Sequence, residues 1–538
     1  MKLTQRDITE NRAEWISKGY EMPEYDREKM IEKTKAHPQW VHFGPGNIFR
    51  SFQAVGAQKL LNEGAAETGI IAVDGHSYEI VPKSYRPHDN LCVAVTLRTR
   101  GTVGKTVVGS IAETVILDPD NAPEIRRMKE IFRAPSLQMV SFTITEKGYA
   151  VKDTAGHLLP ETEKDLETGP AAAYTYIGKL TALLYERYLA GHYPLALVSM
   201  DNMSHNGDKL REAVCLYADA WVKAGNAEPG FASYVKDSSK VSFPWSMIDK
   251  ITPRPHPDVA KILEKDGLDL TPALTSKGTY IAPYVNAEES EYLVIEDSFP
   301  NGRPALEKAG VIFTDKETVD KVEKMKVCTC LNPVHTALAV FGCLLGYTKI
   351  SEEMKDADLV NLVERIGYKE GLPVVVDPGI LDPKRFLDTV INVRVPNPFL
   401  PDTPQRIATD TSQKLAIRFG ETVKAYMRRD DLDVRDLRCI PLVFAGWLRY
   451  LMAIDDEGNP FTPSSDPLLS EVTPYVRDFE LGRKYAEEEI RNKVLPLLKN
   501  AAIFGTDLEE CGLADRVIAD FGRMLEGKGA VRRRLQEI

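Results

Sequence analysis

Positive charge is scarce in this 538-residue chain: 68 lysines and arginines stand against 79 acids, a formal net charge of −11. That balance argues against nucleic acid or an anionic membrane as the main partner. An anionic small substrate would need a local cluster of lysine and arginine. Low-complexity tracts and short-period repeats are absent, which sets aside disordered and solenoid architectures. Cysteine is sparse as well, with seven residues in apolar contexts. Cys328 and Cys330 form C-x-C rather than C-x-x-C, and no second Cys or His pair completes a zinc site. Reduced thiols in a cytoplasmic protein, and no metal, are the expectation. The opening residues, MKLTQRDITENRAEW, are polar from residue 2 and lack the apolar core of a signal peptide. Long apolar runs are nearly missing too. The exception is KVCTCLNPVHTALAVFGCLLGYTK, where 22 uncharged residues separate Lys326 from Lys349. Asn332, Pro333, His335 and three threonines make that run costly in hydrocarbon, so a buried helix is expected rather than a span.

What is present is an ordinary globular composition, 43% hydrophobic and 27% charged, in a chain too long for one core. QWVHF, GPG, NIFRSFQAVGAQKLL and GIIAVD (residues 39–74) read as strand, tight turn, helix and strand. Further strands are expected at LCVAVTL, MVSFTIT and LALVSM, with helical patterns such as YIGKLTALLYERYLA between some of them. Strands alternating with helices indicate a mainly parallel sheet covered on both faces. Beyond about residue 300 the texture changes to long amphipathic helices: EEMKDADLVNLVERIGY, PQRIATDTSQKLAIRFGETVKAYMRR, LRCIPLVFAGWLRYLMAI and GRKYAEEEIRNKVLPLLKNA. The fold class is therefore an α/β N-terminal domain of Rossmann type followed by a mostly α-helical C-terminal domain. The boundary is taken at 288/289, before the turn SFPNGRP.

Three constellations carry chemistry. Gly44-Pro45-Gly46 lies between a strand and a helix, and Asp74 closes the next strand. A helix N-terminus approached through glycines suits a pyrophosphate. An acid at the second strand end accepts both ribose hydroxyls of NAD and repels a 2′-phosphate. Phe49 occupies the third glycine position, so an ordinary strand–helix turn also fits. At the ends of two later strands stand Glu146-Lys147-Gly148 and Asp201-Asn202, where open α/β sheets bind ligands. Asp201 and Asn202 would serve equally as turn or cap residues. The third group is the uncharged run. His335 sits on an apolar stripe, as a satisfied core histidine would, but Asn332 is one turn away and Lys326 precedes it. A lysine desolvated by apolar walls exchanges protons near neutral pH, and an asparagine amide donates to developing alkoxide charge, which together suit carbonyl reduction.

With these residues assembled, the chain resembles the long-chain polyol and uronate dehydrogenases, the mannitol dehydrogenase and fructuronate reductase family, over roughly residues 38–430. The likeness rests on VHFGPGNIFRSFQA, TEKGY, SMDNMSHNGDKL, FPWSMIDKITP, YLVIEDSFPNGRPALEKAGVIF, K…LNPVHTALAVFG and NPFLPDTPQRIATDTSQKLAIRF, in that order. The resemblance implies a metal-independent active site in the cleft between the two domains. Lys326 would be the general acid/base, Asn202 and Asn332 the oxyanion hole, His335 a holder of a substrate hydroxyl, and Asp249 a proton relay to the lysine. Asp249 read alone is a surface partner for Lys250 or a helix terminus. Arg406 and Lys414 would line the substrate end, although Arg406 could pair with a helix acid such as Asp410. Gly44, Gly46, Asn47, Asp74, Thr145 and Glu146 would hold NAD(H). One departure matters: five residues, VCTCL, separate Lys326 from Asn332 where the family usually has four, and Pro333 follows. A bulge or break between the two is expected.

The expected activity is NAD(H)-dependent reduction of a keto-uronate, D-fructuronate to D-mannonate, in a cytoplasmic monomer or small homo-oligomer that binds no nucleic acid or membrane. Tagaturonate reduction and a mannitol- or arabinitol-type polyol dehydrogenase are the alternatives. From another class come a non-catalytic dinucleotide sensor and an NAD-using epimerase.

Overall fold

The computed structural model describes residues 1–99, 101–153 and 155–538. The chain divides into two compact units. One holds Met1–Arg98 and Thr102–Asp320, and the other holds Lys321–Ile538 together with Thr99 and Gly101. The expected boundary at 288/289 falls inside the first unit. Tyr284–Glu288 pairs with Cys92–Leu97, and Tyr292–Glu296 pairs with both Ser246–Asp249 and Ile312–Thr314. Backbone hydrogen bonds therefore tie both flanks of residue 288 to the N-terminal unit, and SFPNGRP joins two paired strands of one sheet.

The first unit is built on six parallel strands: β1 (Trp40–Phe43), β2 (Ile70–Asp74), β3 (Ile111–Ile116), β4 (Met139–Phe142), β5 (Leu195–Ser199) and β6 (Val241–Ser242). Their order is β3-β2-β1-β4-β5-β6, the doubly wound order whose direction reverses between β1 and β4. Side chains alternate across the sheet as the pleat requires. Val41 and Phe43 enter the core on one face with Val140, Phe142 and Leu197, while Trp40 packs into the other with Met139, Ala196 and Val198. Both faces are covered, which is why these strands read as continuous apolar runs. LCVAVTL does form a strand, Cys92–Leu97, but outside the main sheet. It makes a hairpin with Val103–Val108 in a separate four-stranded sheet, and this hairpin lies between β2 and β3 in the chain.

Helices α1 (Ala54–Asn62), α2 (Ala122–Arg133), α3 (Tyr176–Gly191) and α4 (Asn206–Lys223) belong to this unit. α1 is entered through a π turn, Phe49–Gln53, whose five residues are all buried. Further along the chain, α5 (Lys316–Lys324) contains the division between the units.

The second unit is helical. α5 runs through a π turn, Met325–Cys330, into α6 (Asn332–Leu344). The whole run, Lys316–Leu344, is long and apolar enough to cross a membrane, but 78% of its apolar window is buried within the protein. It is a core helix, as expected. α7 (Cys439–Leu451) is buried on all sides and packs against α6 and α8 (Ala514–Met524), the pattern of a central helix. Two of the anticipated long helices are broken. In EEMKDADLVNLVERIGY, Asp356 caps a new helix by accepting from the N–H groups of Asp358 and Leu359, and Arg365–Gly371 is a π turn. In PQRIATDTSQKLAIRF, Asp410 is left-handed at φ +54°, so the segment is a chain of short turns. Side-chain capping by Asp356 outcompetes the amphipathic period in the first, and the left-handed backbone at Asp410 interrupts it in the second.

Candidate active site

The end of β1 leads directly into the loop Gly44–Asn47. Gly44 has φ +93°, and a Cβ there would lie 2.2 Å from the Thr143 carbonyl oxygen on the neighbouring strand end. Only glycine satisfies both constraints. Gly46 is different: its φ is ordinary and a Cβ would meet nothing within 4 Å. No protein group fills that space, as a cradle for a closely approaching pyrophosphate requires. The loop is fixed from beneath. The Tyr85 hydroxyl donates to the Pro45 carbonyl at 2.7 Å, and buried Arg50 donates to Asn47 Oδ1 at 3.0 Å. Asn47 Nδ2 donates in turn to the Pro253 carbonyl. The Asn47 side chain is thus spent on holding the loop. Gly44→Ala is expected to cost about 2–3 kcal/mol of stability and to weaken dinucleotide binding at least about tenfold, read by melting and by NADH fluorescence titration.

Asp74 ends β2 and is buried. Its Oδ1 accepts from the N–H groups of His76 and Ser77 at 3.1 and 3.2 Å, and its Oδ2 from the Ser77 hydroxyl at 3.2 Å. The carboxylate shapes its own turn and keeps lone pairs for further donors. Lys179, which the sequence reading missed, clamps this turn from α3. Its ammonium donates to the carbonyls of Gly75 and Leu117 and to the Tyr78 hydroxyl at 2.9–3.0 Å. Burial pulls its pKa down to about 8, against the opposing charges of Asp118 and Asp74. A lysine at a buried position in the apolar pattern of 176–190 was the available signal.

At the other strand ends, Thr145 stands at φ +65°, a strained position for a β-branched residue of the kind that gathers at functional sites. Glu146 is exposed and pairs with Lys209 at 3.0 Å. Asp201 takes the turn-forming role: its carboxylate accepts from the N–H groups of Ile144 and Thr145 and from the Tyr149 hydroxyl, at 2.6–2.9 Å. Asn202, next in sequence, is exposed beyond β5. Asp249 is neither a surface residue nor a helix terminus. It is buried at the end of Ser246–Asp249, and Lys250 pairs instead with Glu291 at 2.7 Å.

In the second unit the extra residue between Lys326 and Asn332 is absorbed where a bulge was expected. The Leu331 N–H donates to the Lys326 carbonyl at 3.0 Å, an i→i+5 bond. A π turn takes one more residue per turn than an α turn, so six steps from Lys326 rotate through roughly what five α-helical steps would. Helical phase is restored at Asn332, where α6 begins with Pro333 in its first turn. Lys326 is buried. From Asn332 to Leu344 every residue is buried except Asn332 and His335, which are partly exposed and three apart on one face. Burial and the charges of Arg394, Arg418 and Arg406 hold the His335 imidazole down at about 4, with Asp402 opposing. It is neutral at physiological pH, one ring nitrogen donating and the other accepting. Cys328 and Cys330, on the same turn, have thiols pushed up to about 12 by burial.

The cationic wall has more members than the two expected. Arg406 pairs with Asp402 rather than Asp410. Lys414 donates to the carbonyls of Ile407 and Thr409, and burial together with Arg418 lowers its pKa. Arg394 and Arg418 were missed. Both stand on π turns, Val390–Arg394 and Ala416–Gly420, as Lys326 does. Arg418 follows Lys414 by four residues, a helical neighbour that spacing alone could have flagged.

The mannitol dehydrogenase Rossmann domain model matches residues 38–308, and the mannitol dehydrogenase C-terminal domain model matches residues 318–525. The chain is 51% identical to a D-mannonate oxidoreductase of Thermotoga maritima, covering 99% of this chain and 98% of that one. A polyol:NADP oxidoreductase of Gluconobacter oxydans is 30% identical over 89% of this chain and 92% of its own. Among solved structures, Pseudomonas fluorescens mannitol 2-dehydrogenase in ternary complex with NAD and D-mannitol matches at TM-score 0.69 and 26% identity, covering 100% of this chain and 99% of that one. With both domain models in sequence order and a relative alike over nearly its full length, the chain belongs to the mannitol dehydrogenase family.

Proposed function

We propose that this chain catalyses the NAD(H)-dependent reduction of a keto-uronate to an aldonate, D-fructuronate to D-mannonate, as a cytoplasmic monomer or small homo-oligomer. The observation that carries this reading is the 51% identity, over 99% of the chain, to a D-mannonate oxidoreductase. Two features of the molecule agree with it. The charges of three arginines, Arg394, Arg418 and Arg406, act on His335 against that of Asp402, which suits an anionic sugar acid better than a neutral polyol. Asp74 ends β2 with a carboxylate that accepts ribose hydroxyls and repels a 2′-phosphate.

When bound, NADH supplies the hydride that goes to the substrate carbonyl carbon. As the carbonyl oxygen becomes an alkoxide, Lys326 donates a proton to it. The Asn332 amide donates a hydrogen bond to the same oxygen, where charge develops in the transition state, and the family resemblance gives Asn202 the matching role. Neutral His335 holds a neighbouring substrate hydroxyl through one of its ring nitrogens. Asp249, which is buried, would take up a proton from solvent and relay it to the deprotonated lysine, the role the family resemblance implies. The loop Gly44–Asn47, its shape kept by Asn47 and Arg50, would hold the cofactor's pyrophosphate through backbone N–H groups, and Thr145 and Glu146 would contribute to the same cofactor site.

A spectrophotometric panel tests the reading: NADH and NADPH, each with fructuronate, tagaturonate and fructose. NADH oxidation with fructuronate exceeding that with the other two by at least about tenfold is expected, a discrimination well within what hydroxyl and carboxylate contacts supply. Turnover of fructose alone would refute the uronate assignment. Equal use of NADPH would remove the role given to Asp74.

A further inference from the structure

The keto-uronate reading leaves open which cation meets the substrate's carboxylate, and the second unit distinguishes among its four. Arg406 is largely exposed, at 65% of its side chain, and already paired with Asp402. Its partner Asp402 is buried, so this guanidinium is already neutralised by a desolvated carboxylate. The Lys414 ammonium is turned to the backbone carbonyls of Ile407 and Thr409. Arg394 is buried and acts on His335 through its charge.

Arg418 differs from all three. Its NH1 donates to the Thr336 hydroxyl at 2.6 Å, and Thr336 donates to the Asn332 carbonyl at 2.9 Å. Arg418 is therefore one side chain removed from the oxyanion asparagine and adjacent to His335. Among the described residues no carboxylate stands within ion-pair distance of it. Burial without an opposing charge pulls its pKa down to about 10. Among the described residues, one of its five N–H donors has a protein acceptor, the Thr336 hydroxyl. Folding has already partly desolvated this guanidinium, so an arriving carboxylate gains a bidentate, charge-assisted pair at a reduced desolvation cost.

Resting on the keto-uronate reading, we infer that Arg418 is the specificity-determining residue that binds the substrate carboxylate. Thr336 holds its fork in the plane that presents the remaining donors. Because the carboxylate is charged in ground state and transition state alike, the contact acts on binding more than on the chemical step.

Steady-state kinetics of Arg418→Gln and Arg418→Lys against fructuronate at saturating NADH decide the matter. Arg418→Gln is expected to raise KM for fructuronate about 100-fold with kcat within about threefold of wild type, and to turn over fructose no more slowly. Should that variant melt early, Arg418→Lys keeps the charge and the bond to Thr336 but loses the fork, and a KM raised about tenfold at unchanged kcat supports the same assignment. A KM that stays put in both variants, or kcat falling as much as KM rises, overturns it. A wild-type enzyme that does not reduce fructuronate at all refutes the underlying reading instead, before any variant is made.

Discussion

Lys326→Met is expected to lower kcat for keto-uronate reduction by about three orders of magnitude, within the range that general acid–base groups supply, while NADH still binds with near wild-type affinity. The alkoxide formed by hydride addition is far too basic to leave the site unprotonated. Water is a poor substitute where the donor is buried among Met325, Thr329 and Cys330. NADH affinity is retained because the Gly44–Asn47 loop and Asp74 lie in the other compact unit. Methionine fills the lysine stem's volume and adapts to irregular packing, so the turn survives the exchange. The decisive readout is kcat at saturating fructuronate and NADH, taken beside NADH affinity from fluorescence titration. Turnover within about tenfold of wild type would assign the proton to another group.

The π turn that carries Lys326 shows how far sequence reasoning reaches and where it stops. One extra residue before Asn332, followed by Pro333, was enough to expect a bulge, because neither a residue count nor a missing N–H can be hidden in a regular helix. The strands of the first unit were legible for a similar reason. β1, β2, β4 and β5 are buried on both faces and so read as unbroken apolar runs. β6, with two residues, is too short to carry a pattern. What stayed hidden was partnership. Nothing in PDTPQRIATDTSQK says that Arg406 takes Asp402 and not Asp410, because the choice depends on the left-handed turn at Asp410. Arg418 went unnoticed because its partner Thr336 lies 82 residues away in sequence and is brought to it only by the fold. The domain boundary failed on the same ground: the strands flanking residue 288 find their partners at 92–97 and 246–249, far away in sequence.

Glu353→Gln is expected to stabilise the second unit on the order of 4 kcal/mol at pH 8 and hardly at all at pH 5. Glu353 is fully buried at the end of Ile350–Glu353, and neither carboxyl oxygen has a hydrogen-bond partner. It lies over Gly342 of α6 so closely that a Cβ there would come within 2.2 Å of Oε1. Burial, with the Asp356 charge added, pushes its pKa up from 4.5 to about 9. The folded state therefore keeps a proton that the unfolded state gives up. Its contribution is fully present below about pH 4.5 and is lost as pH rises toward 9, at about 1.4 kcal/mol per pH unit. Glutamine keeps the neutral shape of the protonated acid and has no proton to lose, so it removes the slope rather than shifting it. In a unit of this size such a difference moves the melting temperature by roughly 10 °C. The check is the gap in melting temperature between wild type and variant at pH 5 and at pH 8, where only the change in the gap counts, since other groups titrate in both proteins. A gap that does not widen with pH would mean that Glu353 meets a compensating cation or solvent in the folded protein. A variant that melts lower at both values would mean that glutamine's amide cannot take the place of the protonated carboxyl against Gly342.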